Sequence, residues 1–244
     1  MKMGKAPSQP VDGPIENVLQ ELHERLHCLT DGSIATYIPE LARARSEWFG
    51  LSVATLDGHV YGAGDWELPF TIQSASKPFV YALALADRGV DAVHECVGVE
   101  PTGDSFNSIM LDAATGRPFN PMVNAGAIVT TSLVSGGDGA QQFARIREGL
   151  SVFAGRELDV DTGVLTSEQA TGDRNRAIAY LIRTFGLLDE DVEAMLDVYF
   201  RQCSILVTCH DLAVMAATLA NAGVNPVTAE RAMPALRMWA TCSP

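Results

Sequence analysis

Lysine is almost missing from this sequence. Of 17 basic residues 14 are arginine, and two of the three lysines, Lys2 and Lys5, stand in the first five positions. Lys77 is therefore the one lysine in the body of the chain. Positive charge is scarce overall, with a formal net charge of −13 and a pI near 4.7. That balance argues against nucleic acid or an anionic membrane as the main partner. No apolar run is long enough to span a bilayer, so no membrane association is expected. Met1 to Pro14 has no apolar stretch of the kind a secretion signal needs, and residues 1–14 read as a disordered polar tail. The five cysteines (Cys28, Cys96, Cys203, Cys209, Cys242) are odd in number and include no Cys-x-x-Cys pair. That pattern suits a reducing cytoplasm rather than a disulfide frame. Cys203, Cys209 and His210 match no common metal spacing, so no metal is expected.

What the chain does have is apolar content, 47% of 244 residues, enough for the sizeable core of one large domain or two small ones, with no linker evident inside 15–240. Ile15, Val18, Leu19, Leu22, Leu26 and Leu29 recur at helical spacing. A second short helical stretch surrounds Tyr37 to Ala42. Then Phe49–Leu56 and His59–Ala63 flank Asp57-Gly58, a strong hairpin signal. These are the only two strands the pattern supports. A helix is expected from Ser74 to Arg88, stopping at Gly89, followed by a turn-rich stretch to Asn124. Further helices are expected at 125–135, 140–154, 174–185, 189–202, 208–222 and 227–240. Thr208 with Asp211 three residues on is a variant capping box. Two strands alone make no stable sheet, so they must pack against helices or lack neighbours.

Ser74 stands three positions before Lys77, in Ile72-Gln73-Ser74-Ala75-Ser76-Lys77. On one helical turn that spacing stacks the two side chains on the same face. Arginine cannot release its proton, whereas a desolvated lysine can approach neutrality and take the proton of a serine nucleophile. With 14 serines in 244 residues, about one lysine in 17 would carry a serine at this spacing by chance, usage being uneven. The spacing alone therefore leaves a structural serine and a Ser/Lys dyad equally open. A serine at a helix start also offers its own amide as an oxyanion donor.

Polar residues able to read an amide or amino acid fall in three segments: Asn124 among small residues, Glu168 with Asn175, and Tyr199 on an apolar stripe. Taken singly, Asn124 reads better as a helix cap, Glu168 as a solvated turn residue and Tyr199 as a core aromatic.

In order along the chain stand Tyr37-Ile38-Pro39-x-Leu41-Ala42, Ile72-Gln73-Ser74-x-Ser76-Lys77, Phe106-Asn107-Ser108 and Pro118-x-Asn120-Pro121-x-x-Asn124-Ala125-Gly126-Ala127. Ser167-Glu168-x6-Asn175 and Tyr199-Phe200-x-x-Cys203-Ser204 complete the series. The set resembles the glutaminase family, whose catalytic domain has the serine β-lactamase/penicillin-binding-protein fold, over about 15–242. The resemblance implies an α+β, transpeptidase-like architecture, mostly helical here with an N-terminal β-hairpin. It implies hydrolysis of L-glutamine to L-glutamate and ammonia through a γ-glutamyl ester. Ser74 would be the nucleophile, Lys77 its base and Tyr37 a proton relay. Asn124, Glu168, Asn175 and Tyr199 would hold the substrate together with Ser74. A carboxylate such as Glu168 suits the α-ammonium, and the amides suit the α-carboxylate. No metal or organic cofactor is implied, and a homo-oligomer (dimer or tetramer) is expected. The Ser-Asp-Asn and Lys-Thr-Gly elements of β-lactamases are absent from the sequence.

Members of that family continue with a Gly-Met-Tyr segment and a Lys-Ser-Gly-Val-Gly-Gly strand, whereas this sequence stops at Ser243-Pro244. A binding tyrosine, a second lysine, a valine amide and the C-terminal sheet strands are thus expected to be missing, and the 244-residue chain is expected to have little glutaminase activity. Two other readings remain open: another Ser/Lys amidase or esterase, and an inactive truncated product that associates with full-length subunits.

Overall fold

The computed structural model describes residues 13–103, 109–188 and 191–234. The Phe106-Asn107-Ser108 motif, residues 1–12 of the expected tail, Cys242 and the segment from Ala235 onward lie outside the described residues.

The amphipathic stretch near the N-terminus forms α1 (Pro14–Leu26), with Pro14 in its first turn and Gly13 and Glu16 completing a capping arrangement. The Tyr37 segment leads into a short 3-10 helix, Pro39–Arg43. The hairpin forms as expected: β1 (Gly50–Ala54) pairs antiparallel with β2 (Val60–Gly64), Gly50 opposite Gly64 and Ala54 opposite Val60. It packs against α1 and against α9 (Cys209–Ala220). His23 of α1 reaches the Phe49 carbonyl at 3.1 Å, and the Cys209 thiol of α9 donates to the Gly50 carbonyl.

Two further strands escaped the sequence pattern. β3 (Phe70–Thr71) and β4 (Leu206–Val207) pair antiparallel. At two residues each they are too short to show an alternation of period two. They deliver the chain into the 3-10 turn Gln73–Ser76 and then α2 (Lys77–Arg88). The expected single helix from Ser74 is therefore a tight turn followed by a helix, with Pro78 in the helix's first turn where its missing N–H costs nothing.

Helices α3 (Val90–Cys96), α4 (Asn124–Leu133), α5 (Gly139–Ala154), α6 (Thr162–Thr171), α7 (Asp173–Thr184) and α8 (Val192–Cys203) follow. The periodicity missed α3 and α6, which are short. The expected helix at 227–240 is not formed over its described part, 227–234. There the fully buried Asn225 accepts from the amides of Val227 and Thr228, Ala229 is left-handed at φ 60°, and Val224 bridges to Arg231. A side chain that bonds the backbone locally competes with the helix.

Two apolar clusters form the core. One joins α2, α5 and α9 through Val80, Leu83, Leu150, Phe153 and Met215. The other joins α4, α7 and α8 through Ile128, Val129, Ile178, Leu196 and Phe200. Helix α8 serves both, since Val198 belongs to the first cluster while Tyr199, Phe200 and Cys203 belong to the second.

The start of α4 is set by a close backbone approach. Asn120 Oδ1 accepts from the amides of Met122 (3.0 Å) and Val123 (3.3 Å), folding the Asn120-Pro121 turn onto the helix. A Cβ on Gly126 would stand 2.0 Å from the Asn120 carbonyl oxygen, so only glycine permits the contact. Gly126→Ala must push the turn away from α4, and a backbone obstacle yields less than a side chain. We expect it to cost roughly 1–3 kcal/mol, read as a lowered urea midpoint with unchanged m-value.

Candidate functional site

The Gln73–Ser76 turn puts Ser74 on the surface of a cavity of about 260 Å³. Its lining includes Tyr37, Gln73, Ser74, Asn124, Glu168, Asn175, Tyr199 and Cys203. Six of the seven site residues expected from sequence thus line one cavity, drawn from five separate segments of the chain. The seventh, Lys77, reaches it through Asn124.

Lys77 opens α2 and is 3% exposed. Its ammonium donates to Asn124 Oδ1 at 2.8 Å and to the Met122 carbonyl at 3.1 Å. Burial disfavours the charged form and brings its pKa down from 10.5 to about 8. Two neutral oxygens thus help to hold the lysine, and burial makes its proton easier to lose than that of a solvated lysine.

Asn124 is not the cap that its position suggests. Val123 occupies the N-cap, and the Asn124 side chain instead accepts from Lys77 and donates to Asn175 Oδ1 at 3.1 Å. Nor is Glu168 a solvated turn residue. It lies in α6 and is 7% exposed. Burial raises its pKa to about 7, opposed by a hydrogen bond with Gln73. Tyr199 is a core aromatic, 3% exposed, that also faces the cavity. Burial lifts its phenol well above the ordinary value and lifts that of Tyr37 as well. Both therefore stay protonated through neutral pH and can donate.

Glu168 and Asn175 sit on different helices. Gly172 turns the chain between α6 and α7, and a Cβ there would come within 2.4 Å of the Phe200 ring. Tyr37 arrives from the opposite end of the sequence, tied to α6 by the Glu40 amide, which donates to Ser167 Oγ at 3.4 Å. Its own side chain remains 65% exposed at the rim.

Sequence reasoning passed over Gln73, Cys203 and Arg174 as lining residues. Gln73 was detectable as the neighbour of Ser74, and Arg174 as the neighbour of Asn175. Cys203 stood in the Tyr199-Phe200-x-x-Cys203-Ser204 motif, four residues and about one helical turn after Tyr199, but was given no role there. Its thiol is buried and pushed up to about 12, so it stays protonated and is no nucleophile.

Comparison with known proteins bears on this arrangement. A profile of the glutaminase family matches residues 32–243. A glutaminase from Trichormus variabilis is 53% identical over 220 residues, covering 90% of this chain and 66% of that protein. Glutaminase 1 from Bradyrhizobium diazoefficiens is 58% identical over 214 residues, covering 88% of this chain and 35% of its own length. The chain thus spans two thirds or less of these relatives. Among solved structures, the native form of Mglu superposes with a TM-score of 0.87 at 43% identity, covering 92% of this chain and 55% of that one. The probable glutaminase ybaS gives 0.87 at 41%, covering 91% and 72%. The α+β, β-lactamase-like fold class expected from the motifs is that of these neighbours. The chain belongs to the glutaminase family.

Proposed function

We propose that the cavity hydrolyses the side-chain amide of L-glutamine, giving L-glutamate and ammonia. The observation that carries the reading is the meeting of Ser74 and a buried Glu168 on one cavity, with the desolvated Lys77 bound behind it to the cavity-lining Asn124. Glu168 offers a negative charge to the α-ammonium, Asn124 and Asn175 offer amide donors to the α-carboxylate, and Tyr199 closes the inner wall.

Ser74 Oγ attacks the carboxamide carbon while Lys77 takes its proton. The tetrahedral oxyanion is met by the Ser74 amide at the start of the helical turn. The C–N bond then breaks, and the proton passes to the departing nitrogen with the Tyr37 phenol as relay. A γ-glutamyl ester remains on Ser74. Water, deprotonated by Lys77, attacks that ester, and Ser74 leaves with a proton.

The direct test uses the 244-residue chain with L-glutamine and with a diazoketone analogue that alkylates the nucleophile. Equal amounts of glutamate and ammonia should appear, however slowly, and mass spectrometry should find the analogue on Ser74. Ser74→Ala should lower turnover by several orders of magnitude. Alkylation at another residue, or variant turnover within a tenth of the parent rate, would refute the reading.

Lys77 must lose its proton to work. The acylation rate should therefore rise with pH and level off above about 8. Lys77→Arg keeps the charge but not the titration, so it should be nearly as inactive as Ser74→Ala at every pH. Substantial activity in that variant would make Lys77 only an electrostatic partner.

Glu168 carries a stability cost with a definite sign. Its folded pKa, about 7, lies above the ordinary 4.5, so between those values the folded chain holds a proton that the unfolded chain has lost. Stability therefore falls as pH rises through that window. Glu168→Gln should match the parent stability below pH 4.5 and exceed it by about 3 kcal/mol above pH 7. The same variant should raise KM for glutamine. Urea midpoints and KM at pH 4 and pH 8 check both halves.

A further inference from the structure

Gln202 lies on α8 next to Cys203 and is fully buried at 0% exposure. An amide taken out of water costs free energy unless its groups find partners, and a leucine of similar size would satisfy a core position without that cost. The partners of Gln202 run in one direction. Thr131 Oγ1, on α4, stands 2.9 Å from Gln202 Oε1. Gln202 Nε2 donates to Ser76 Oγ at 2.9 Å, and Ser76 Oγ donates to the Gln73 carbonyl at 2.8 Å. Thr131, Gln202 and Ser76 are each at 0% exposure.

The relay ends at a strained residue. Gln73 has φ 48°, one of three described non-glycine residues with positive φ, along with Ala222 and Ala229. A non-glycine residue in that region is strained and persists only where its surroundings enforce it. On one side the Ile72 amide is anchored to the Ile205 carbonyl at 2.8 Å. On the other, the carbonyl of Gln73 is held by Ser76. A serine hydroxyl is a free rotor. It is the N–H of Gln202, occupying a lone pair of Ser76 Oγ, that leaves the hydroxyl proton directed at Gln73. The next residue after Gln73 is Ser74, and relaxation of Gln73 would swing the Ser74 side chain away from the cavity.

We propose that Gln202 is a positioning residue for Ser74, acting through Ser76 on the left-handed Gln73. The inference rests on the reading of Ser74 as nucleophile. It adds that the nucleophile's aim is fixed from α8, the helix that also carries Tyr199.

The test measures how fast a small fluorophosphonate labels Ser74, a reaction that needs an aligned serine but no recognition of glutamine. Gln202→Leu leaves no polar group stranded, because Thr131 Oγ1 is also 2.8 Å from the Ala127 carbonyl and Ser76 Oγ still has the Gln73 carbonyl within reach, though without the N–H that directs its proton there. Labelling should slow by about tenfold or more, with a matching loss in kcat and KM for glutamine changed by less than about threefold. Ser76→Ala breaks the same link from its other end and should give the same loss, and the double variant should be no worse than either single one. Thr218→Val, equally buried but bonded only to Phe153 and Val214 carbonyls, should label at the parent rate. If Gln202→Leu prevents folding, Ser76→Ala carries the test alone. Labelling within about twofold of the parent in the folded variants would overturn this inference and leave the nucleophile reading intact. A parent chain that takes up no probe at Ser74 would overturn both.

Discussion

The removal of Lys77 from water is the constraint from which the rest of the site follows. A buried ammonium needs oxygens, and the structure supplies Asn124 Oδ1 and the Met122 carbonyl. Both are neutral. A carboxylate in their place would have stabilised the cation and raised its pKa. Neutral partners keep the amine in place without locking its proton. They also bind α2 to α4, because Met122 and Asn124 frame the start of α4. The Asn120-Pro121 turn and Gly126 that fix that start thus serve the lysine as much as the helix.

The same dry environment acts on Glu168 with the opposite sign. Desolvation lowers the pKa of the lysine and raises that of the carboxylate, so the two values, about 8 and about 7, stand close together. Around neutrality neither group is fixed in one state. A ligand that brings an ammonium to Glu168 would favour its ionised form. Holding a carboxyl in this dry setting costs stability once pH rises above its unfolded pKa, a cost that an ammonium placed beside it would offset.

Legibility in the sequence divided along physical lines. Long amphipathic helices were readable because their periodicity spans several turns, as in α5 with Ile146, Leu150 and Phe153. The β1–β2 hairpin was readable from Asp57-Gly58. The Thr208–Asp211 capping box was readable too, and the structure forms it. The two-residue strands β3 and β4 were not, since their pairing is fixed by tertiary contact and leaves no pattern. The 227–240 helix was expected from apolar residues, but local bonding by Asn225 prevailed in the part described. For the site, Ser74 and Lys77 stood out by chemistry and spacing. Asn124, Glu168 and Tyr199 each had a better structural explanation when taken singly, and only their joint order, through the family resemblance, marked them. Their union depends on folding segments more than a hundred residues apart, and no local rule encodes that.

Beside Ser74, the proposed nucleophile, the cavity is lined by a thiol that its environment holds protonated. Cys203 is the softer and intrinsically more nucleophilic atom, but only as a thiolate. Its place at the end of α8, 5% exposed and packed in the α4–α7–α8 core, holds the thiol near 12 and leaves it inert. Ser74 lies on the opposite bargain of position: exposed at the cavity surface, on a turn whose strain is held from behind by buried hydrogen bonds. An alcohol is the weaker nucleophile, yet it needs a base only at the moment of attack, the role proposed above for Lys77. On the proposed reading, reactivity in this site is set less by the identity of the atom than by which side of the core it occupies.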